Sequence, residues 1–268
     1  MKKTLALVLA ALLCVFCLAS CGSDANDKVI KIAASSTPHA EILEQVKPIL
    51  EKDGYTVEIQ VMDDYVIPNT ATDSGDVDAN YFQHQPYLDQ FNAEQGTKLK
   101  SVAAIHYEPY GIYVGTCDDL EKLEDGAVIA VPNDATNEAR ALLLLEANGL
   151  IKVKEGAGLT ATKNDIIENP KNLDIREMEA ALLPGVLDEV AIAVINGNYA
   201  LAAGLDITKS LGAEKADSEA AQTFANVIVV KEGNENKPKI QALVKALKSD
   251  AIRDYINNTY NGAVVAIF

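Results

Sequence analysis

Short β-branched runs recur along this chain, each closed by turn residues and followed by a stretch of helical length. That alternation constrains the fold most, because strands separated by helices pair in parallel and bury both faces. Val29-Ile30-Lys31-Ile32-Ala33-Ala34 is the first such run. Ser35-Ser36-Thr37-Pro38 turns the chain, and Pro38 is admissible in a first helical turn. Ile42, Leu43, Val46, Ile49 and Leu50 then share one helical face, with Pro48 expected to bend the helix and Asp53-Gly54 to end it. Residues 56–62 alternate Val57, Ile59 and Val61 with Glu58 and Gln60, as a half-buried strand does. Such a strand-helix-strand opening implies a right-handed parallel unit. Residues 63–69 read as the loop that follows.

The pattern continues with a strand at 77–82, a helix running on to Gly96, and a strand at 99–107. Pro109 and Gly111 mark a hinge or crossover. Beyond it come strands at 112–114 and 128–131, a helix ending at Asn148-Gly149, and a helix around 177–183 stopped by Pro184-Gly185. A buried strand at 190–195, a polar linker at 210–219 and a strand at 227–230 follow. A last helix carries Ile240, Leu243, Val244 and Leu247 in phase. The expectation is an α/β protein whose 268 residues make two lobes joined by two crossovers.

The first residues obey other rules. Lys2-Lys3 precedes an almost wholly apolar stretch over 5–18, which closes on Leu18-Ala19-Ser20-Cys21. A charged start, an apolar run and small residues make a secretory signal, too short for a confident membrane span. The ending resembles a bacterial lipobox, which implies cleavage before Cys21 and lipid on its thiol. Residues 1–20 are thus the signal peptide and 21–28, polar and small, a tether. Cys14 and Cys17 fall in the leader, so the body keeps only Cys117 and cannot form an internal disulfide. Net charge is −16, which argues against nucleic acid and against adhesion to anionic lipid through a basic patch.

Two stretches are candidates for chemistry. Val128-Ile129-Ala130-Val131 leads through Pro132, Asn133, Asp134, Thr136 and Asn137 into a helix, and a helix start offers free N–H groups to an anion. Arg140, one of three arginines with Arg176 and Arg253, follows within about two turns and could grip a carboxylate. An ordinary surface arginine fits the spacing equally well. The run from Asp78 to Tyr87 concentrates Tyr81, Phe82, His84 and Tyr87 in an aromatic-poor chain. Phe82, His84 and Tyr87, joined by Tyr65, could wall an apolar slot suited to a thioether, or could simply pack a core around a structural histidine. His39, His84 and His106 are far apart in sequence and none has a second ligand at zinc spacing. No nucleophile elbow, metalloprotease, P-loop or dinucleotide pattern occurs, so neither an enzyme nor a cofactor is called for.

His39-Ala-Glu41, Asp64-Tyr-Val66, Asp78-Ala-Asn80-Tyr-Phe-Gln-His84, Pro132-Asn-Asp-Ala-Thr-Asn137, Glu179-Ala-Ala181 and Val194-Ile-Asn-Gly-Asn-Tyr-Ala200 together resemble the NlpA/MetQ family of lipoproteins, over about residues 29–268. The resemblance implies a type II periplasmic-binding-protein-like fold with ligand in the interlobe cleft, lobe I being 29–108 plus 224–268 and lobe II 109–223. It implies an extracytoplasmic, lipid-anchored, monomeric component of an ABC importer, binding L-methionine and passing it to a permease and its ATPase. D-Methionine, a methionine dipeptide, another apolar amino acid or an adhesin-type role are the rival readings. Residue by residue, Tyr65, Phe82, His84 and Tyr87 match the family's side-chain pocket and Arg140 its carboxylate-binding arginine. Asn196 and Asn226 match groups that hold ammonium and carboxylate, with Asn133 and Asn198 behind them.

Overall fold

The computed structural model describes residues 26–215 and 222–268, so the leader and Cys21 lie outside the described residues. β1 (Val29–Ala34) buries Ile30 and Ile32 and leaves Lys31 exposed. α1 (Glu41–Lys52) lays Ile42, Leu43, Val46 and Leu50 against it, each such side chain contributing about 1.5–3 kcal/mol of burial. β2 (Thr56–Val61) pairs parallel with β1, Val29 opposite Thr56 through Ala34 opposite Val61. The expected opening unit is there.

The loop after β2 is shorter than expected. α2 (Ile67–Ser74) takes up its second half, because Pro68 loses no hydrogen bond in a first turn. Asp64 Oδ1 accepts the N–H groups of Val66 (2.7 Å) and Ile67 (2.6 Å) at its start, and Gly75, at φ 86°, ends it. β3 (Ala79–His84), α3 (Gln85–Gln95) and β4 (Leu99–Tyr107) follow. β5 (Gly111–Val114), β6 (Val128–Pro132) and α4 (Ala135–Ala147) open the second half. A small hairpin, β7 (Lys152–Val153) with β8 (Ile166–Glu168), precedes β9 (Asp174–Met178).

The helix expected around 177–183 does not form. Residues 174–178 pair with β6 as β9, and residues Ala180–Glu189 wind as 3₁₀ turns, since Pro184 denies an α-helix its ladder. β10 (Ile192–Ile195), α5 (Gly197–Ala202) and β11 (Gly212–Ala213) complete this part. β12 (Asn226–Lys231), α6 (Pro238–Leu247), α7 (Asp250–Thr259) and β13 (Val265–Ala266) close the chain, α7 being unforeseen.

Two sheets result. One runs β13-β4-β12-β3-β1-β2 and the other β11-β5-β10-β6-β9. β12 lies antiparallel between β3 and β4, so the chain returns to the middle of the first sheet after building the second. Residues 108–110 carry the chain across once, between β4 and β5, and the segment between β11 and β12 brings it back. Each sheet has its own buried core, built on Ile32, Leu43 and Leu243 in one lobe and on Ile129, Leu142 and Val194 in the other. Strand ends and strand-helix turns from both lobes meet at the crossovers, where ligands of open α/β sheets bind.

Candidate functional site

One cavity at that junction is lined by all seven residues singled out from the sequence: Tyr65, Phe82, His84, Tyr87, Arg140, Asn196 and Asn226. Gln83, Glu108, Asn137, Gly197 and Asn198 line it as well. Of these, only Asn198 was ranked, and behind the others. Glu108 carries a weak sequence signal: an acid directly after a strand, at a Pro-Gly crossover. Nothing local marks Gln83.

The aromatic wall comes from lobe I. Tyr65, in the turn between β2 and α2, has ring centroids 5.8 Å from Phe82, 5.6 Å from Tyr87 and 5.1 Å from Tyr199. Tyr87 fixes that turn by donating its hydroxyl to Tyr65 O at 3.0 Å. Beneath it, Asn69, Asn80 and Gln83 bond one another side chain to side chain (2.5–3.0 Å), and Asn80 Nδ2 also donates to Thr72 Oγ1 at 2.7 Å. This buried polar staple ties α2 to β3.

His84 is the N-cap of α3. Its Nδ1 accepts Tyr87 N–H (3.2 Å), so Nε2 carries the proton and donates to Asn137 Oδ1 at 3.1 Å. Burial, then the nearby Arg140 charge, push His84 down to about 3, so the ring is neutral at pH 7. Asn137 Oδ1 also accepts from Asn196 Nδ2 (2.9 Å), whose Oδ1 takes the Tyr110 hydroxyl (3.3 Å). Tyr65 donates its hydroxyl to Asn198 Oδ1 at 2.7 Å. Lobe I thus bonds lobe II across the cavity at two side-chain pairs.

The start of α4 is not the open anion site expected from its turn. Asp134 caps it, accepting Asn137 N–H at 3.1 Å and Asn137 Nδ2 at 2.9 Å, and Gln90 Oε1 takes Thr136 N–H at 3.3 Å. Two of its free donors, the N–H groups of Thr136 and Asn137, are already taken. Arg140, by contrast, is buried at the cavity edge rather than on the surface. Its Nε and Nη2 donate to Glu214 at 2.8 and 2.6 Å, and Nη2 also to Glu108 O at 3.0 Å. Phe224 and Tyr110 rings lie 4.2 and 4.6 Å from the guanidinium carbon. Burial works against the Glu214 charge, but Arg140 wins and holds that carboxyl below the usual range. Glu214 itself does not line the cavity. The Tyr107 hydroxyl also bonds the guanidinium.

The histidines read as isolated in sequence are not isolated in space. His106 Nε2 and His39 Nε2 stand 2.7 and 3.4 Å from the same oxygen, Glu108 Oε1. Ser35 Oγ lies 3.0 Å from His39 Nδ1, and Tyr81 hydroxyl bonds His106 Nδ1. His39 Nε2 is also 2.9 Å from Asn226 Oδ1. His39 comes from the helical turn Ser36–Ala40 after β1 and His106 from the end of β4, and Glu41, considered beside His39, is not in the cluster. Burial pushes His39 to about 4 and His106 to about 3, and raises Glu108. With both rings neutral, hydroxyls donate to Nδ1 and Nε2–H groups face the carboxylate. Every ring nitrogen then has a partner.

An aromatic slot, an arginine and a buried acid at the junction of two α/β lobes define a substrate-binding protein of the periplasmic type. The chain belongs to the NlpA lipoprotein family, whose model matches residues 30–268. It is 43% identical over 270 residues to the D-methionine-binding lipoprotein MetQ of Salmonella typhimurium, covering 98% of this chain and 97% of that one. A lipoprotein structure from Ruminococcus gnavus is 61% identical with a TM-score of 0.89, over 90% of this chain and all (100%) of that one. A nutrient-binding protein from Burkholderia cenocepacia, solved bound to methionine, is 44% identical with a TM-score of 0.85, over 89% of this chain and 100% of its own.

Proposed function

We propose that this protein is the lipid-anchored substrate-binding component of an ABC importer, taking L-methionine outside the membrane and handing it to a permease coupled to an ATPase. The observation that carries the reading is the cavity itself: an apolar aromatic wall on lobe I faces amide and guanidinium groups on lobe II. Phe82, Tyr65 and Tyr87 supply π-edges and faces suited to a thioether. Arg140 and the amides of Asn196 and Asn226 supply hydrogen bonds for the polar end. We take lobe I as residues 29–108 plus 224–268 and lobe II as 109–223, with the two closing over ligand and the closed monomer docking on the permease. The anchor would be Cys21, followed by the tether. No helix among the described residues is long and apolar enough to cross a membrane.

The MetQ relative named above is a D-methionine-binding lipoprotein, so stereochemistry belongs in the test. Isothermal titration of the full chain in detergent, refolded to strip carried ligand, would compare L-methionine, D-methionine, leucine and glycyl-methionine. One-to-one binding led by L-methionine is expected, and Arg140→Ala should weaken it about 100-fold, the loss typical of removing one partner of a buried charged contact. No heat with any of the four would move the function to another ligand or to adhesion.

A further inference from the structure

Glu214 is a buried acid outside the ligand cavity, with no part in holding ligand. It is the first residue after β11, where the chain starts back toward lobe I. Its side chain is 10% exposed and that of Arg140 5%. Donors from three parts of the chain converge on its carboxylate. Arg140 Nε donates to Oε1 at 2.8 Å, and Arg140 Nη2 donates to Oε2 at 2.6 Å. Tyr110 N–H reaches Oε2 at 3.0 Å, and the Tyr107 hydroxyl donates to the same oxygen. Tyr107 ends β4 and Tyr110 precedes β5, so these two stand on either side of the first crossover.

The two crossovers are thereby fastened to each other. Glu214 N–H returns a bond to Tyr110 O at 3.0 Å, so the pair is joined through backbone and side chain together. Arg140 completes the knot. Its Nη2 donates to Glu108 O at 3.0 Å, inside the first crossover, and the Phe224 ring, at the end of the second, lies 4.2 Å from its guanidinium carbon. Lobe closure is absorbed by backbone rotation at a few such connecting residues. Rotation at 108–110 would draw Glu108 O and Tyr110 N–H away from the buried ion pair. Such a pair offsets its desolvation only in good geometry, with its remaining hydrogen bonds made. Few hinge angles meet that condition. Arg140 also lines the ligand cavity, so one cation belongs to both the hinge and the site.

We propose that Glu214 is the positioning residue that couples ligand at Arg140 to the angle between the lobes, by binding the two crossovers and that arginine into one rigid unit. The proposal rests on the substrate-binding reading above and deepens it. A ligand carboxylate arriving at Arg140 meets a guanidinium whose plane is fixed by the hinge. Opening the crossovers then unseats Arg140 and releases ligand.

Hydrogen exchange followed by mass spectrometry, on the full chain in detergent with and without L-methionine, reads the crossovers directly. Segments 107–114 and 209–215 report the two crossovers, and β1 and β6 report the lobe cores. Glu214→Gln keeps the shape of the side chain and removes its charge. Without ligand it should speed exchange of both crossover segments about 10-fold and leave the cores unchanged, the scale of one lost charged hydrogen bond. L-Methionine affinity should fall about 10-fold in the same variant. Tyr107→Phe keeps the two-bond fork and removes the hydroxyl with which lobe I reaches Glu214 and the guanidinium. It should speed crossover exchange about fivefold and weaken L-methionine by a similar factor. Crossover exchange unchanged in both variants overturns the proposal. So does tighter L-methionine binding by Glu214→Gln, the mark of an acid that only competes with ligand for Arg140. Faster exchange in the cores as well would make Glu214 a general stabiliser and overturns the proposal too. A wild type that binds no L-methionine overturns the methionine reading alone when the variants loosen the crossovers, and both when they do not.

Discussion

At Arg140 the side chain was legible and its partners were not. Helical spacing after the turn at 132–137 pointed to it, but the carboxylate that grips it, Glu214, lies 74 residues on in the polar stretch read as linker. The histidines behave alike. His39 and His106 are 67 positions apart and meet only because β1 and β4 end on one side of a sheet. Their burial makes a pH prediction. All three histidines, His84 included, hold folded values near 3 to 4, below the ordinary 6.5. The unfolded chain therefore binds protons more readily, so the stabilisation is complete above about pH 6.5 and is lost as pH falls toward the folded values, about 2 kcal/mol per ring between pH 7 and 5. Glu108, raised by burial, works in the opposite direction. Ring Cε1–H signals followed by NMR should stay at neutral shifts from about pH 8 down to about pH 5. A ring titrating near 6.5 would mean that its pocket is wet.

At the level of elements, most strands and helices matched the periodicity, and the exceptions have local causes. The helix expected around 177–183 gave its first two residues to β9, which pairs with β6 in the second sheet, and the rest to 3₁₀ turns around Pro184. α2 looked like loop because Pro68 and two small polar residues hide a helix start. That helix is held less by apolar burial than by the Asn69–Asn80–Gln83 staple. Asn80 is fully buried with its amide nitrogen bonded to Thr72 and Asn69. Asn80→Ala should cost about 1–3 kcal/mol in a urea melt, the penalty for stranding buried partners. Because the staple sets α2 and the Tyr65 turn, the same variant should also loosen the aromatic wall, seen as weaker methionine binding. An unchanged melt would show that water replaces the amide.

For the whole molecule, a few polar bridges join the two lobes. Tyr65 to Asn198, His84 to Asn137 and Gln90 to Thr136 N–H all cross the cleft. Tyr65→Phe removes one of them and keeps the ring in the wall, shifting the ligand-free equilibrium toward open by about 0.5–1.5 kcal/mol. Small-angle scattering should then show a larger radius of gyration without ligand, and saturating methionine should restore the wild-type value. A radius identical in both states would remove Tyr65 from the closing contacts. The alternation of β-branched runs and amphipathic helices sufficed for the α/β class, the order of most elements and an aromatic and arginine site, since those depend on spacing along the chain. Tertiary structure alone decided that β12 returns between β3 and β4, that Glu214 sits on Arg140, and that His39, His106 and Glu108 share one oxygen. Those are contacts between residues tens of positions apart, and their cause is burial: polar groups driven inside must find partners wherever the folded chain presents them.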